Sequence, residues 1–121
     1  MATTLALDTL FVRIDAKDTA GFLEFLDSKA IFRFGNAPPV AGSAAVAQAV
    51  EGFFASIRAL RHALLDTWQG KDSLVCQGEV TYTRHDGSEL TLPFVNVFRL
   101  RDGKVGEYLV YVDIAPLHAS H

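Results

Sequence analysis

The sequence is poor in cysteine, in clustered basic residues and in long apolar runs, and each shortage excludes a class of protein. Cys76 is the single cysteine, so no disulfide forms within the chain, and a reducing compartment is expected. The net charge of −3 and the scattered Lys and Arg residues argue against binding to nucleic-acid phosphates. No apolar run approaches the roughly 20 residues of a membrane span. Because residues 1–15 also lack the pattern of a signal peptide, the sequence predicts a cytoplasmic protein.

The remaining composition is that of a folded globular protein. Hydrophobic residues make up 50% of the chain and charged residues 21%, which favours a packed core over disorder. The length of 121 residues favours one domain covering residues 1–121.

Helical periodicity dominates the first half of the chain. An apolar stripe at i, i+3, i+4 and i+7 begins at Leu7 and ends at Ile14. Asp18 is placed to cap a second short helix that carries Phe22, Phe25 and Leu26. Ser43 is placed to cap a third helix. The predicted stripe of that third helix is Val46, Val50, Phe53, Ile57 and Leu60.

The second half alternates with a period of two, which predicts long strands. One strand is expected at residues 30–34, before the third helix. Four more are expected at residues 62–68, 73–84, 89–101 and 105–115, with Asp-Gly turns between the last three. Pro93 lies within a predicted strand and suggests a bulge or a bend there, and residues 116–121 are expected to fray. The order of elements predicts an α+β fold with helices on one face of a curved sheet.

The motifs and their order resemble the SnoaL-like proteins of the nuclear-transport-factor-two-like superfamily. The residues that carry the resemblance are DAKD (15–18), FRFGNAPPVAG (32–42), the turn at 86–87, PFVNVFRLRDGKV (93–105) and YVD (111–113). The resemblance covers residues 5–115. It implies a cone-shaped antiparallel sheet wrapped around three N-terminal helices, with an internal pocket. It also implies a homodimer through the outer face of the sheet, with Val80 and Tyr82 on that face.

Two known active sites of the superfamily can be compared residue by residue. At the positions of ketosteroid isomerase, the base falls on Phe34, the tyrosine on Leu10 and the acid on Asn96. Without a base there is no proton abstraction to assist, so steroid isomerisation is not expected. At the positions of limonene epoxide hydrolase, the water-holding pair falls on Phe32 and Phe34. The arginine and one aspartate of that site fall near Gln77 and Glu79, or near Glu79 and Thr81 if the alignment slips by two. The last aspartate falls on Val110. One carboxylate can survive, but the machinery as a whole is not kept, so epoxide hydrolysis is not expected.

Three residues are the candidates for catalysis in the implied pocket: His62, Glu79 and Asn96. The family mapping turns Glu79 inward, where desolvation would suit it to acid or base work; the alternative is a solvent-facing residue. His62 begins a strand and could exchange protons at the pocket wall, or simply cover a helix end. A buried Asn96 demands hydrogen-bond partners, either a ligand or a neighbouring strand. Asp15 is interpreted as a turn or cap residue.

The predicted ligand contacts are mostly aromatic and favour a small hydrophobic molecule. They are Phe32, Phe34, Thr81, Phe94, Phe98, Tyr108 and Val110. Alternation sets Tyr111 and Asp113 on the face opposite Tyr108. No metal site and no cofactor are expected, since no cluster has ligand spacing and no phosphate loop is present. Two functions stay open: an acid–base isomerase, cyclase or hydratase, and a non-catalytic ligand-binding or dimerisation module.

Overall fold

The computed structural model describes residues 5–118. The elements in chain order are α1 (Leu7–Asp15), α2 (Thr19–Leu23), β1 (Leu26–Phe34), β2 (Val40–Ala41), α3 (Ser43–Ala55), β3 (Ala59–Gln69), β4 (Ser73–Thr83), β5 (Glu89–Arg101), β6 (Lys104–Tyr111) and α4 (Ala115–His118). None of the helices in this range is long and apolar enough to cross a membrane.

The strands form one six-stranded sheet in the order β2-β1-β6-β5-β4-β3. Strand β1 runs parallel to β6, and every other pair is antiparallel. The sheet is curved and unclosed, and its inner face packs against the N-terminal helices through one apolar core. The predicted α+β cone is thus confirmed, with one parallel pair that sequence alternation does not reveal.

The helix caps agree with the sequence in one case and differ in another. Asp18 caps α2, since its carboxylate accepts a hydrogen bond from the Gly21 N–H at 2.9 Å. The helix ends at Leu23, however, so Leu26 is the first residue of β1. The cap of α3 is Gly42 rather than Ser43, because the chain enters the helix at a φ of 91°, which glycine adopts without strain.

The buried stripe of α3 also differs from the predicted one. Val46, Val50 and Phe54 are its buried residues, and they are spaced four apart. Phe53 is only half-buried, and Leu60 lies in β3. The helix ends at Ala55, so the longer periodic stripe of the sequence combined residues from two elements.

The predicted bulge at Pro93 is absent. Pro93 pairs with Glu79 in an uninterrupted β4–β5 register, and β6 pairs with β5 only from Val95 onward. A residue without an N–H is tolerated there because β5 has a neighbour on one side only. Register irregularities lie elsewhere: between Leu64 and Asp66 on β3, between Arg99 and Leu100 on β5, and between Leu26 and Ile31 on β1.

Strand β4 faces the opposite way from the sequence prediction. Its buried, inward-facing residues include Val80 and Tyr82, whereas Glu79 is exposed. Gln77 shares the outer face with Glu79, and Thr81 is covered there while it hydrogen-bonds Thr91 at 2.8 Å. A shift of one residue exchanges the two faces of a strand, which is why the inward orientation assigned to Glu79 was wrong.

The C-terminal residues are ordered further than predicted. Leu117 is buried, and Arg84 donates hydrogen bonds to the carbonyls of Pro116 and Leu117. Asp113 accepts a hydrogen bond from the Ala115 N–H at 3.0 Å, which starts α4. The fraying prediction is therefore wrong for residues 116–118, while residues 119–121 lie outside the described part of the chain.

Candidate functional site

A cavity of about 240 Å³ lies between the helices and the inner face of the sheet. Its lining is mostly aromatic and aliphatic: Ile14, Phe22, Phe32, Phe34, Ala37, Ala49, Val50, Phe53, Phe54, Leu60, His62, Val80, Tyr82, Phe94, Asn96, Tyr108 and Val110. Ala37 and Ala49 are the exposed members of this set, and Phe34 and Phe53 are half-buried beside them. The mouth therefore lies between the loop after β1 and helix α3.

His62 and Asp15 form a hydrogen-bonded pair at the cavity wall. Asp15 ends α1, and its Oδ1 lies 2.6 Å from His62 Nδ1. Its other oxygen, Oδ2, accepts a hydrogen bond from the backbone N–H of His62 at 3.0 Å. The carboxylate therefore hydrogen-bonds both the backbone and the ring of His62, and it connects the end of α1 to β3.

This contact determines which ring nitrogen of His62 carries the hydrogen. A carboxylate accepts hydrogen bonds, so Nδ1 carries the hydrogen and Nε2 is left for other partners. Among residues 5–118, no side chain or carbonyl bonds Nε2. The ring is held between Phe11, at a centroid distance of 4.7 Å, and Phe94, at 5.2 Å. The arrangement suits a general base or acid with a preset tautomer.

Asn96 and Tyr108 form the second polar pair of the cavity. Asn96 Nδ2 donates a hydrogen bond to the Tyr108 hydroxyl at 3.1 Å, and both residues are 2% exposed. The Asn96 carbonyl oxygen has no hydrogen-bond partner among the described residues. Because buried polar groups are usually paired, this oxygen is a candidate hydrogen-bond acceptor for a ligand.

The electrostatics of the cavity favour a neutral occupant. Burial raises the pKa of Tyr108 well above its usual range, helped by the nearby Cys76, Tyr82 and Asp15. Burial also raises the pKa of Tyr82. Both hydroxyls are therefore protonated at neutral pH. None of the described lining residues is Lys, Arg, Asp or Glu, so His62 is the one described lining residue that can carry a positive charge, and a neutral ligand avoids the cost of burying an unpaired charge.

The structure gathers most of the predicted site residues. His62 and Asn96 line the cavity, and so do the predicted ligand contacts Phe32, Phe34, Phe94, Tyr108 and Val110. Three predicted residues are not in the lining. Glu79 is exposed on the outer face, Thr81 bonds Thr91 there, and Phe98 is fully buried behind Tyr108.

Asp15 and Tyr82 are the residues that sequence reasoning missed. Asp15 was interpreted as a cap because it follows a helical stripe, and no local pattern links it to His62, 47 positions away. Tyr82 was assigned to the outer face through the one-residue shift in β4. Cys76 and Tyr82 lie on the same face of β4, so assigning Cys76 rather than Gln77 to the interior would have placed Tyr82 there as well.

A second, more open depression of about 660 Å³ lies on the other face of the sheet. Arg33, Gln77, Tyr111 and Asp113 are among the residues that line it. Tyr111 is exposed, which confirms that it faces away from Tyr108, and Asp113 is engaged with the start of α4. This depression lacks an unpartnered buried polar atom, so the internal cavity is the better candidate site.

Solved structures with similar folds include three that cover most of this chain. One is an NTF2-like protein of unknown function from Burkholderia pseudomallei, with 19% identity, a TM-score of 0.84, and coverage of 92% of this chain and 90% of that one. Another is a candidate polyketide cyclase from Pseudomonas putida, with 20% identity, a TM-score of 0.76, and coverage of 94% and 93%. The third is an epoxide hydrolase, similar to limonene epoxide hydrolase, from M. tuberculosis, with 10% identity, a TM-score of 0.75, and coverage of 90% and 80%. At these identities the likeness establishes the fold alone.

The family is established by sequence. No curated protein is significantly similar to the chain. Residues 7–108, however, match the SnoaL-like domain, and this range contains α1, α3, most of the sheet and every residue of the two polar pairs. The chain belongs to the SnoaL-like domain family.

Proposed function

We propose that the protein is a cofactor-independent acid–base enzyme, of the isomerase, cyclase or hydratase type, that acts on a small neutral ring compound. The observation that carries the proposal is the Asp15–His62 pair, which leaves Nε2 of His62 as the free ring nitrogen at the cavity. Membership of the SnoaL-like family supports an enzymatic or ligand-binding role. In this proposal His62 takes the proton-transfer role that the sequence also considered for Glu79.

The chemistry follows from the two polar pairs. His62 Nε2 removes a proton from a carbon next to a carbonyl group, and the C–H electron pair becomes part of an enolate. The oxygen of that enolate accepts a hydrogen bond from the Tyr108 hydroxyl, whose own oxygen is held by Asn96 Nδ2. The imidazolium then returns the proton to another carbon or to the oxygen, which completes an isomerisation without another reactant, whereas a hydration would also consume water. Asp15 holds the ring and stabilises its charged form.

The cavity limits the size of the substrate. Its volume of about 240 Å³ is below the roughly 300–1,000 Å³ of typical ligand pockets, which favours one or two rings. Phe32, Phe34 and Phe94 line it and suit a flat hydrocarbon skeleton.

The test is hydrogen–deuterium exchange on a small ketone. β-Tetralone, a two-ring ketone with acidic C–H groups next to its carbonyl, is incubated with the protein in D₂O and followed by proton NMR. We expect exchange above the buffer rate, and a loss of roughly 10²–10⁴-fold in the protein-dependent rate in His62→Gln, the usual contribution of a general base.

The matched control is His85→Gln. His85 is exposed, and its Nε2 lies 2.9 Å from the Ala55 carbonyl, so it does not line the cavity. Equal loss in both variants, or wild-type exchange no faster than buffer although the ketone binds, would contradict the enzymatic role. The second of these results would favour the non-catalytic ligand-binding alternative.

We also propose a homodimer through the outer face of the sheet. The support is an apolar row of directly paired residues that crosses four strands: Trp68, Val75, Val97 and Leu109. Trp68 is exposed, and so is Tyr111 beside this row. A second copy of the chain would cover such a surface. Val80 and Tyr82, which first suggested the dimer, face the cavity instead.

Sedimentation velocity tests the dimer. We expect a dimer at micromolar concentration, and dissociation on Val97→Lys, which sets a charge in the middle of the apolar row. Thr91→Lys, on the same strand face but outside the row, is the control. Wild-type protein that sediments only as a monomer would refute the proposal.

A cytoplasmic location is also a proposal. It is supported by the single thiol of Cys76, which is fully buried and fits a reducing compartment.

A further inference from the structure

We infer that the polar end of the ligand is a hydroxyl group held between Asn96 and Tyr108, so that the cavity selects cyclic alcohols, enols or phenols over ketones and carboxylates. The inference rests on the proposed function in one respect, namely that the ligand occupies this cavity. It adds the identity of the group that the second polar pair recognises.

The Asn96–Tyr108 pair leaves hydrogen-bonding groups unused. Asn96 Nδ2 donates to the Tyr108 oxygen, so the Tyr108 hydroxyl keeps its own hydrogen for another acceptor. No described residue accepts that hydrogen. The Asn96 Oδ1 atom is a buried acceptor without a donor. The pair therefore presents one free donor and one free acceptor side by side.

A hydroxyl group satisfies both requirements at once. It accepts from the Tyr108 hydroxyl and donates to Asn96 Oδ1, whereas a ketone oxygen can only accept. A ketone would leave the amide oxygen unpaired, and a buried unpaired polar group costs more free energy than a hydrogen bond contributes. In terms of the proposed reaction, the hydroxyl form is the enol side of a keto–enol pair.

The charge of the ligand is restricted by its surroundings. A carboxylate would bring two acceptor oxygens toward Asn96 Oδ1. The described lining contains no Lys or Arg, and His62, which can become cationic, belongs to the other polar pair. The same reasoning excludes phosphate esters. A neutral hydroxyl group remains the simplest complement to the pair.

The orientation of the Asn96 amide does not change this complement. If the side chain were rotated by 180°, its oxygen would accept from Tyr108 and its NH₂ group would point to the ligand. The Tyr108 oxygen would then be the free acceptor beside that donor. Both orientations therefore predict a preference for a hydroxyl group over a ketone, and they differ only in which residue accepts from it.

Three probes share that skeleton: β-tetralol, β-tetralone and tetralin. Their dissociation constants are measured by equilibrium dialysis with the full chain. We expect the alcohol to bind at least tenfold more tightly than either the ketone or the hydrocarbon, which corresponds to about 1.4 kcal/mol.

Variants assign the preference to the pair. Asn96→Leu removes the free acceptor and Tyr108→Phe the free donor, so each should reduce the preference for the alcohol over tetralin to threefold or less. Asn96→Leu removes both the unpaired Oδ1 and the Nδ2 that bonds Tyr108, so Tyr108→Phe, which removes a single hydroxyl, is the milder of the two variants. Thr91→Val, on the outer face, should keep the full preference.

The binding measurements test the hydroxyl inference, and the exchange measurements test the acid–base proposal, so either proposal can fail without the other. A ketone that binds more tightly than the alcohol would overturn the hydroxyl inference and leave the acid–base proposal intact. Loss of exchange in wild type, together with an alcohol preference that Asn96→Leu removes, would support the inference and count against catalysis. If none of the three probes binds at millimolar concentration, the inference is wrong.

Discussion

Replacing Asp15 by Asn should reverse the tautomer of His62 while the fold is kept. The carboxylate accepts hydrogen bonds from Nδ1 and from the backbone N–H of His62. In Asp15→Asn the amide oxygen can still accept from the backbone N–H, but the NH₂ group then faces Nδ1. Two donors cannot share one hydrogen bond, so the ring hydrogen moves to Nε2.

The cost in stability can be bounded from the same contacts. A hydrogen bond to a charged group contributes about 1.5–3 kcal/mol, and Asp15 makes two, at 2.6 and 3.0 Å. Its side chain is 28% exposed, so water replaces part of the loss. Asp15→Ala should therefore lower the free energy of unfolding by about 2–3 kcal/mol, and Asp15→Asn, which keeps one bond, by about half of that.

The tautomer is read directly by long-range ¹H–¹⁵N correlation NMR of the histidine rings. The free energy of unfolding comes from urea denaturation. Wild type should show hydrogen on Nδ1 of His62, and Asp15→Asn should show it on Nε2. The β-tetralone exchange rate of Asp15→Asn should fall about as far as that of His62→Gln, because a protonated Nε2 cannot act as a base.

A suitable control is Asp113→Asn, which alters another carboxylate that accepts a backbone N–H but lies outside the cavity lining. It should leave the His62 spectrum unchanged. Wild-type protein with the hydrogen on Nε2 would refute the reasoning, since the Asp15 contact would then not determine the tautomer. An unchanged tautomer in Asp15→Asn would have the same meaning.

Three further predictions concern stability. Burial raises the pKa of Cys76 to about 11, from a usual value of 9.0, so its neutral thiol stabilises the fold below pH 9, and this contribution of up to roughly 3 kcal/mol is lost as pH rises toward 11. The free energy of unfolding, measured by urea denaturation, should therefore fall less steeply between pH 9 and 11 in Cys76→Ala than in wild type, and an equal fall would contradict this. Phe98→Ala should cost about 3–5 kcal/mol, because Phe98 is fully buried and its ring lies 4.5 Å from that of Tyr108; a loss below 1 kcal/mol in urea denaturation would show that the site collapses. Glu79→Gln should change the free energy of unfolding by less than about 0.5 kcal/mol between pH 5 and 8, since Glu79 is exposed. A larger, pH-dependent change would indicate that the Glu79 side chain is buried.

The sequence was sufficient for the architecture because periodicity and turn chemistry are local signals. The stripe that ends at Ile14, the cap at Asp18 and the Asp-Gly turns each depend on residues within a few positions of one another. The parallel pairing of β1 with β6 joins residues about 75 positions apart and leaves no such local mark.

The site was predicted less completely, for two physical reasons. Alternation in β4 separates a polar face, with Glu79 and Thr81, from an apolar face, with Val80 and Tyr82, and the apolar face is the buried one. The mapping onto the family turned the polar face inward instead, and this shift of one residue exchanged the two faces. The Asp15–His62 contact arises only when the end of α1 packs against β3. Asn96 was found because a single amide in an apolar strand is conspicuous wherever the strand is buried.

Phe94 connects the two polar pairs into one site. It shares the inner face of β5 with Asn96 two residues further on, about 7 Å along the strand, and its ring lies 5.2 Å from that of His62. A flat substrate stacked on Phe94 would therefore present carbon to His62 and oxygen to Asn96. One carbon–carbonyl unit together with a hydrogen bond at each end spans a comparable distance. In the proposed reaction, the aromatic lining would thus set the spacing between proton transfer and oxygen recognition, with residues on four different elements acting on a single small molecule.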